Sequence, residues 1–148
     1  GQDADRLFGG QGDDRLHGNR GDDTLFGGDG DDTLAGDVGT DQLTGGAGND
    51  AFRLVNPYDG AAAISDFAAG EDRIEVVGPN FGAIAAGTLA AGHFALGNPA
   101  DGDDWFVFDT ATGTLSYDAD GTGAGAAAVI ATLNVRTLSH SDIAVVAG

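Results

Sequence analysis

Six aspartates stand nine residues apart without a break, at Asp5, Asp14, Asp23, Asp32, Asp41 and Asp50. Two places after each comes a core-type residue: Leu7, Leu16, Leu25, Leu34, Leu43 and Phe52. Glycines keep the same register, with Gly12, Gly21, Gly30, Gly39 and Gly48 two places before an aspartate and Gly9, Gly18, Gly27, Gly36 and Gly45 opening each unit. The first unit is truncated, since Gly1 is its second position and Asp3 replaces the fourth-position glycine. One apolar residue in nine cannot make the stripe that a helix buries, and each glycine costs a helix about 1 kcal/mol relative to alanine. The unit is therefore a turn and a short strand.

Three strand residues around each leucine and six turn residues before it send successive strands in opposite directions, on two facing sheets. One coil is then two units. Strands stack in parallel within each sheet, and the leucines point inward as a thin apolar ladder. Glycine lets the turn reach positive φ and lets backbone carbonyls converge. Turns n and n+2 lie side by side on one edge, so Asp5/Asp23, Asp14/Asp32, Asp23/Asp41 and Asp32/Asp50 are brought together in two rows. Bare rows of carboxylates repel. A hard divalent cation with six to eight oxygen ligands relieves this, and Ca²⁺ suits the site better than Mg²⁺, which demands a tighter octahedron.

Charge points the same way. Twenty-four acids face six basic residues, all arginine, for a net charge of −18, which argues against nucleic acid and anionic membranes as partners. Without cysteine there is neither a disulfide framework nor a thiolate metal site. The apolar run from Ala124 to Leu133 is too short to span a bilayer. The chain opens inside a repeat without a methionine or a signal peptide, so an upstream domain of a larger parent protein is expected.

Composition divides the chain into residues 1–53, a repeat region with twelve aspartates, and residues 54–148, alanine-rich and aperiodic. Short apolar runs in the second part predict strands at Ile64–Phe67, Ile74–Val77, within 126–135 and at "DIAVV". "DWFVFDTATGTLSYD" predicts a hairpin around Thr-Ala-Thr-Gly. A helix near Ile84–Ala91 is the weakest expectation, given the glycine there. Trp105, Phe106 and Phe108 are candidate core. The fold class is all-β, a parallel β-roll followed by a β-rich C-terminal capping region.

"GGQGDDRLH", "GGDGDDTLA" and "GGAGNDAFR" fit the pattern G-G-x-G-x-D-x-U-x at every fixed position, and "GNRGDDTLF" and "GDVGTDQLT" depart only at the second glycine. At these residues the chain resembles the RTX family of calcium-binding nonapeptide repeats. "ISDFAAGEDRIEV", "FDTATGTLSYDADGTG" and "LSHSDIAVV" resemble the region that follows such β-rolls in type I secreted proteins, serralysin-type metalloproteases among them. The resemblance implies about four Ca²⁺ ions, each held between turns n and n+2 by two aspartates and backbone carbonyls. One would use Gly9, Gln11 and Asp14 with Gly28, Gly30 and Asp32. A second would use Gly18, Arg20 and Asp23 with Asp37, Gly39 and Asp41, and a third Gly27, Asp29 and Asp32 with Gly46, Gly48 and Asp50. The terminal site would pair Gln2 and Asp5 with Asn19, Gly21 and Asp23. It further implies a secreted, extracellular protein, export by the type I secretion machinery, and a signal-like "DIAVV" tail.

Other residues fit no chemistry of their own. Asp13, Asp22 and Asp31 read as solvated charges. "DADGTG" at 118–123 opens like an EF-hand loop, but Val129 stands where a bidentate glutamate belongs. Paired carboxylates recurring along a ladder do not make a glycosidase, which needs one pair in a cleft. His17, His93 and His140 lack metal-ligand spacing, and no enzyme is expected within this chain, whatever the parent does. The alternative function is an extracellular polysaccharide-binding or adhesion module, with Phe8 and Phe26 side by side on the outer face of the odd strands.

Overall fold

The repeat units alternate between two sheets. In the computed structural model, which describes residues 1–98, 102–121 and 127–148, strands β1 (Arg6–Gln11), β3 (Thr24–Asp29) and β5 (Gln42–Ala47) lie in one sheet. Strands β2 (Arg15–His17), β4 (Thr33–Ala35) and β6 (Ala51–Leu54) lie in the other. Pairing is parallel, one coil apart: Leu7 opposite Leu25, Leu25 opposite Leu43, Leu16 opposite Leu34 and Leu34 opposite Phe52. Leu25, Leu34, Leu43 and Phe52 are fully buried between the sheets, and Leu7 and Leu16 pack against them at the open first coil.

The odd strands are six residues long rather than three, and they run on into the turn. The reason lies at the second position of the unit. After odd strands it is Gly10, Gly28 or Gly46, with φ of 115°, 124° and 110°. After even strands it is Asn19 or Asp37, at φ 77° and 67°, the left-handed region that Asn and Asp enter most readily among non-glycine residues and that ends a strand. Both departures from the glycine pattern thus fall on one edge of the roll.

The nonapeptide pattern stops near residue 53, but the sheets do not. Strand β7 (Ala62–Ile64) pairs in parallel with β5, Ile64 opposite Leu43, and β8 (Arg73–Val77) pairs with β6, Ile74 opposite Phe52. This is a fourth coil. The chain then makes β9 (Gly87–Thr88), β10 (Phe94–Leu96), β11 (Phe106–Asp109) and β12 (Thr114–Tyr117) before β13 (Ala128–Leu133) and β14 (Ile143–Val146) return as a fifth, parallel to β7 and β8. The final orders are β1-β3-β5-β7-β13-β12-β11-β10 and β2-β4-β6-β8-β14-β9.

The hairpin forms as expected, β11 antiparallel to β12, and β8, β13 and β14 stand where the apolar runs placed strands. The strand expected at Ile64–Phe67 lies instead at Ala62–Ile64 and shares only Ile64 with the expectation, because Ser65 and Asp66 turn back to bond the third coil. No α-helix forms at 84–91, where Gly87 and Thr88 make the two-residue β9 and a 3-10 turn opens only at Ala91. Phe52 meets Phe67, ring centroids 6.1 Å apart, and the core continues through Phe81, Phe106, Phe108 and Leu115. Trp105 is half-buried and stacks on His93 at 4.4 Å. Thr122 and Gly123 of "DADGTG", and residue 126 of the β13 run, lie outside the described residues. Among the described residues no helix is long and apolar enough to cross a membrane.

Candidate calcium-binding edges

Each repeat aspartate sits where a turn hands over to a strand, so stacking the coils stacks the carboxylates. On one edge the Asp14 N–H donates to Asp32 Oδ1 at 2.7 Å and the Asp32 N–H to Asp50 Oδ1 at 2.9 Å. On the other, Asp5 donates to Asp23 at 2.7 Å and Asp23 to Asp41 at 2.9 Å. All four expected pairs are therefore in contact. Asp23, Asp32, Asp41 and Asp50 are each no more than 2% exposed.

Those bonds occupy one oxygen each of Asp23, Asp32, Asp41 and Asp50. The Oδ2 oxygen of Asp14, Asp23 and Asp32 is buried with no hydrogen-bond partner. A buried ionised oxygen with nothing to bond is costly, by about 1–3 kcal/mol or more for a charged group. The surroundings leave room only for a small guest. A Cβ built on Gly9 would lie 2.6 Å from both Asp14 Oδ2 and the Gly27 carbonyl, and one built on Gly18 or Gly27 would collide likewise with Asp23 and the Gly36 carbonyl or with Asp32 and the Gly45 carbonyl. Carboxylate and carbonyl oxygen thus converge in front of a glycine, turn after turn. Among the described residues no three acidic or imidazole side chains gather at one point. A cation here would draw on two carboxylates and the backbone, a donor set of oxygens that suits Ca²⁺.

The fields agree with the geometry. Burial first, then the carboxylates of Asp72, Asp32 and Asp66, push Asp50 up to about 6 against the bond from the Asp32 backbone. Burial likewise raises Asp41, with Asp23, Asp22 and Asp37 adding to it, and raises Asp59 beside Asp37.

Of the remaining candidate ligands, Gly28, Gly30, Gly39, Gly46 and Gly48 all have positive φ and approach the backbone of the preceding turn on their edge too closely for any side chain. Gly21 has positive φ beside the Asp3 backbone, and Asn19 and Asp37 carry the left-handed second position. The carbonyls of Asn19 and Asp29 each accept one N–H, from Val38 at 2.8 Å and Gly12 at 2.7 Å, and keep a second lone pair. Arg20 bridges to Val38 through its backbone. Gln2 and Gln11 are exposed at the first coil.

Two features were not expected. Asp13, Asp22 and Asp31 are exposed but not merely solvated: Asp13 accepts the Asp31 N–H, Asp22 the Thr40 N–H and Asp31 the Asn49 N–H, at 2.8–2.9 Å. They form an outer ladder beside the inner one, and the Asn49 bonds hold Asp31 below the usual carboxylate range. Second, the inner row extends to Asp72, whose Oδ1 accepts the Asp50 N–H at 2.9 Å while its Oδ2 accepts the Ala68 N–H at 2.8 Å. "GEDRI" carries the signal, a glycine two before and an isoleucine two after the aspartate, but displaced from the nine-residue register. The opposite row ends at Asp41, since Ala62 takes the next place.

Residues 1–34 and 17–52 match the RTX calcium-binding nonapeptide repeat (4 copies). No curated protein matches the chain. The AlgE6R3 subunit of the Azotobacter vinelandii mannuronan C5-epimerase, known from a solution structure, resembles it with a TM-score of 0.62 and 26% identity, over 97% of this chain and 79% of that one. With its two parallel sheets and stacked aspartate rows, residues 1–52 are an RTX calcium-binding repeat region folded as a β-roll.

Proposed function

We propose that this chain is a calcium-driven folding module of a larger secreted protein, disordered during type I export and folded outside the cell. The observation that carries this reading is the buried, unbonded Oδ2 of Asp14 and Asp32 on one edge and of Asp23 on the other. When bound, Ca²⁺ supplies the positive charge those oxygens lack, about four ions for the four repeat pairs. The aspartates hold the turns in register through their Oδ1 atoms, and the glycines keep side chains out of the space between turns. Without the ion the rows repel, and one leucine per nine residues buries too little to hold the coils. Binding free energy then becomes folding free energy. A low-calcium cytosol leaves the repeats threadable, and millimolar external calcium closes them.

Circular dichroism of the chain in chelator, followed by calcium titration, tests this. A cooperative gain of β signal is expected, with Mg²⁺ ineffective at comparable concentration. Repeats that are fully folded in chelator would sink the reading.

A second reading, a polysaccharide-binding or adhesion surface, draws on one observation. Phe8 is 65% exposed and stacks on Phe26 at 5.0 Å, leaving an aromatic pair on the outer face of the eight-stranded sheet. The similar AlgE6R3 subunit comes from an enzyme named for a polysaccharide. Alanine at both positions should abolish retention on immobilised glycan if this reading holds and leave it unchanged otherwise.

A further inference from the structure

The outer face of the six-stranded sheet holds a cleft of about 290 Å³ ringed by Arg15, His17, Arg53 and Arg73. Half of the six arginines in a chain of net charge −18 therefore surround one hollow. The strand register builds it. Arg15, Thr33, Ala51 and Arg73 form one row across β2, β4, β6 and β8, so two long basic side chains flank two small ones. At a strand spacing of about 4.8 Å, the ends of that row stand roughly 14 Å apart.

Arg73 and two of the three arginines outside the cleft are engaged within the chain. Arg73 pairs with Glu75 at 2.9 Å, Arg6 lies over the Phe8 and Phe26 rings, and Arg136 donates to the Leu133 and Val135 carbonyls. Among the described residues, Arg15 and Arg53 have no carboxylate within ion-pairing distance. His17 is turned to Asp37 at the rim, 3.2 Å away.

We propose that Arg15 and Arg53 bind a carboxylate presented from outside the chain, on a small organic acid or on an acidic unit of a polymer. The guanidinium fork matches the planar carboxylate, and the wall already accepts one such group, Glu75 on Arg73. Glu75 and the acidic chain as a whole disfavour a dianion such as sulfate more than a monoanion. The volume lies near the lower end of small-molecule sites, room for one ring-sized acid. This site is on the sheet face and shares no side chain with the inner aspartate rows, although Arg15 follows Asp14 and His17 reaches Asp37 at the rim.

The test is titration of the calcium-saturated chain with glucuronate, a glucuronate polymer, glucose and sulfate, read from the arginine Nε–Hε resonances. Saturable shifts confined to Arg15, Arg53 and Arg73 are expected with glucuronate. Binding should weaken by about tenfold or more in R15Q/R53Q, with unchanged circular dichroism in calcium, and stay intact in R136Q, whose parent side chain bonds the Leu133 and Val135 carbonyls. A polymer that saturates at far lower carboxylate concentration than the monomer identifies the polymer as the source, and equal affinity per carboxylate identifies the small acid. Shifts spread over all six arginines, equal binding of glucose, tighter binding of sulfate, or no saturable binding by either acid would overturn the proposal.

Discussion

The backbone N–H of Asp50 donates to the carboxylate of Asp72 across twenty-two residues of sequence, at the same 2.9 Å that separates Asp32 from Asp50 across eighteen. The chain takes four extra residues to reach the next coil and still delivers a carboxylate to the same place. Asp72 differs from Asp14, Asp23 and Asp32 in one respect: both of its oxygens accept an N–H, so it closes the row with hydrogen bonds alone. Replacing it by alanine should weaken the fourth coil even in chelator and move the calcium midpoint upward several-fold. A D72A chain that titrates like the parent would show that the row ends at Asp50.

The repeat aspartates should not be equivalent. Asp23 and Asp32 each lie between two neighbours on their edge, whereas Asp5 has one and sits at the open first coil. D23A or D32A is expected to raise the calcium midpoint about tenfold, D5A far less. D50A should behave as an interior variant because of Asp72. Equal shifts at Asp5 and Asp32 would contradict the pairing of alternate turns.

Protons should compete with calcium. In the folded, calcium-free chain Asp50 is raised to about 6 and Asp41 is raised as well, so the fold holds their protons more tightly than the unfolded chain does. That contribution to the calcium-free fold is fully present below the ordinary carboxylate value and is lost as pH rises through about 6. In chelator the β signal should therefore be larger at pH 4 than at pH 7.5. The calcium midpoint should climb as pH falls from 7 to 5, and a midpoint flat across that range would refute the protonation of the rows.

The C-terminal part is expected to nucleate the repeats. We propose that residues 54–148, which hold most of the large aromatic core, form first and that residues 1–53 add to them in calcium. Calorimetric or circular dichroism titration of residues 1–53 alone should show little cooperative folding at calcium concentrations that fold the whole chain. Equal midpoints and equal cooperativity would remove the nucleating role.

The second position of the even turns gives a local check. Asn19 and Asp37 hold left-handed φ without glycine. N19G should be nearly neutral, and N19V should destabilise by about 1–2 kcal/mol, since a β-branched residue is strained there. Thermal melts in saturating calcium distinguish the two.

What the sequence made legible follows from the range of the forces involved. The nine-residue register, the inward leucines and the four aspartate pairs could be read because every coil repeats the same local rule. Hairpin β11–β12 could be read because its partners are adjacent. The fourth and fifth coils could not: Ile64 opposite Leu133 and Ile74 opposite Ile143 are parallel pairs between distant segments, and nothing local in "AAI" or "DIAVV" names its partner. Asp72 was hidden by a shift of register, and the outer ladder of Asp13, Asp22 and Asp31 by the ordinary tendency of exposed acids to face water.

Between Val77 and Ala128 the path leaves the stack, builds β9 to β12, and rejoins it with parallel register intact. Register in this architecture is thus a property of contact between coils rather than of distance along the polypeptide. A long detour costs little more loop-closure entropy than a short one, roughly 0.6 kcal/mol for each doubling of length. The junction after β8 is therefore a natural port for foreign sequence: a guest whose two ends lie close together would be added to the excursion there, leaving Phe81, Phe106 and Phe108 in the core, and the coils upstream would carry it as a rigid, extendable mount.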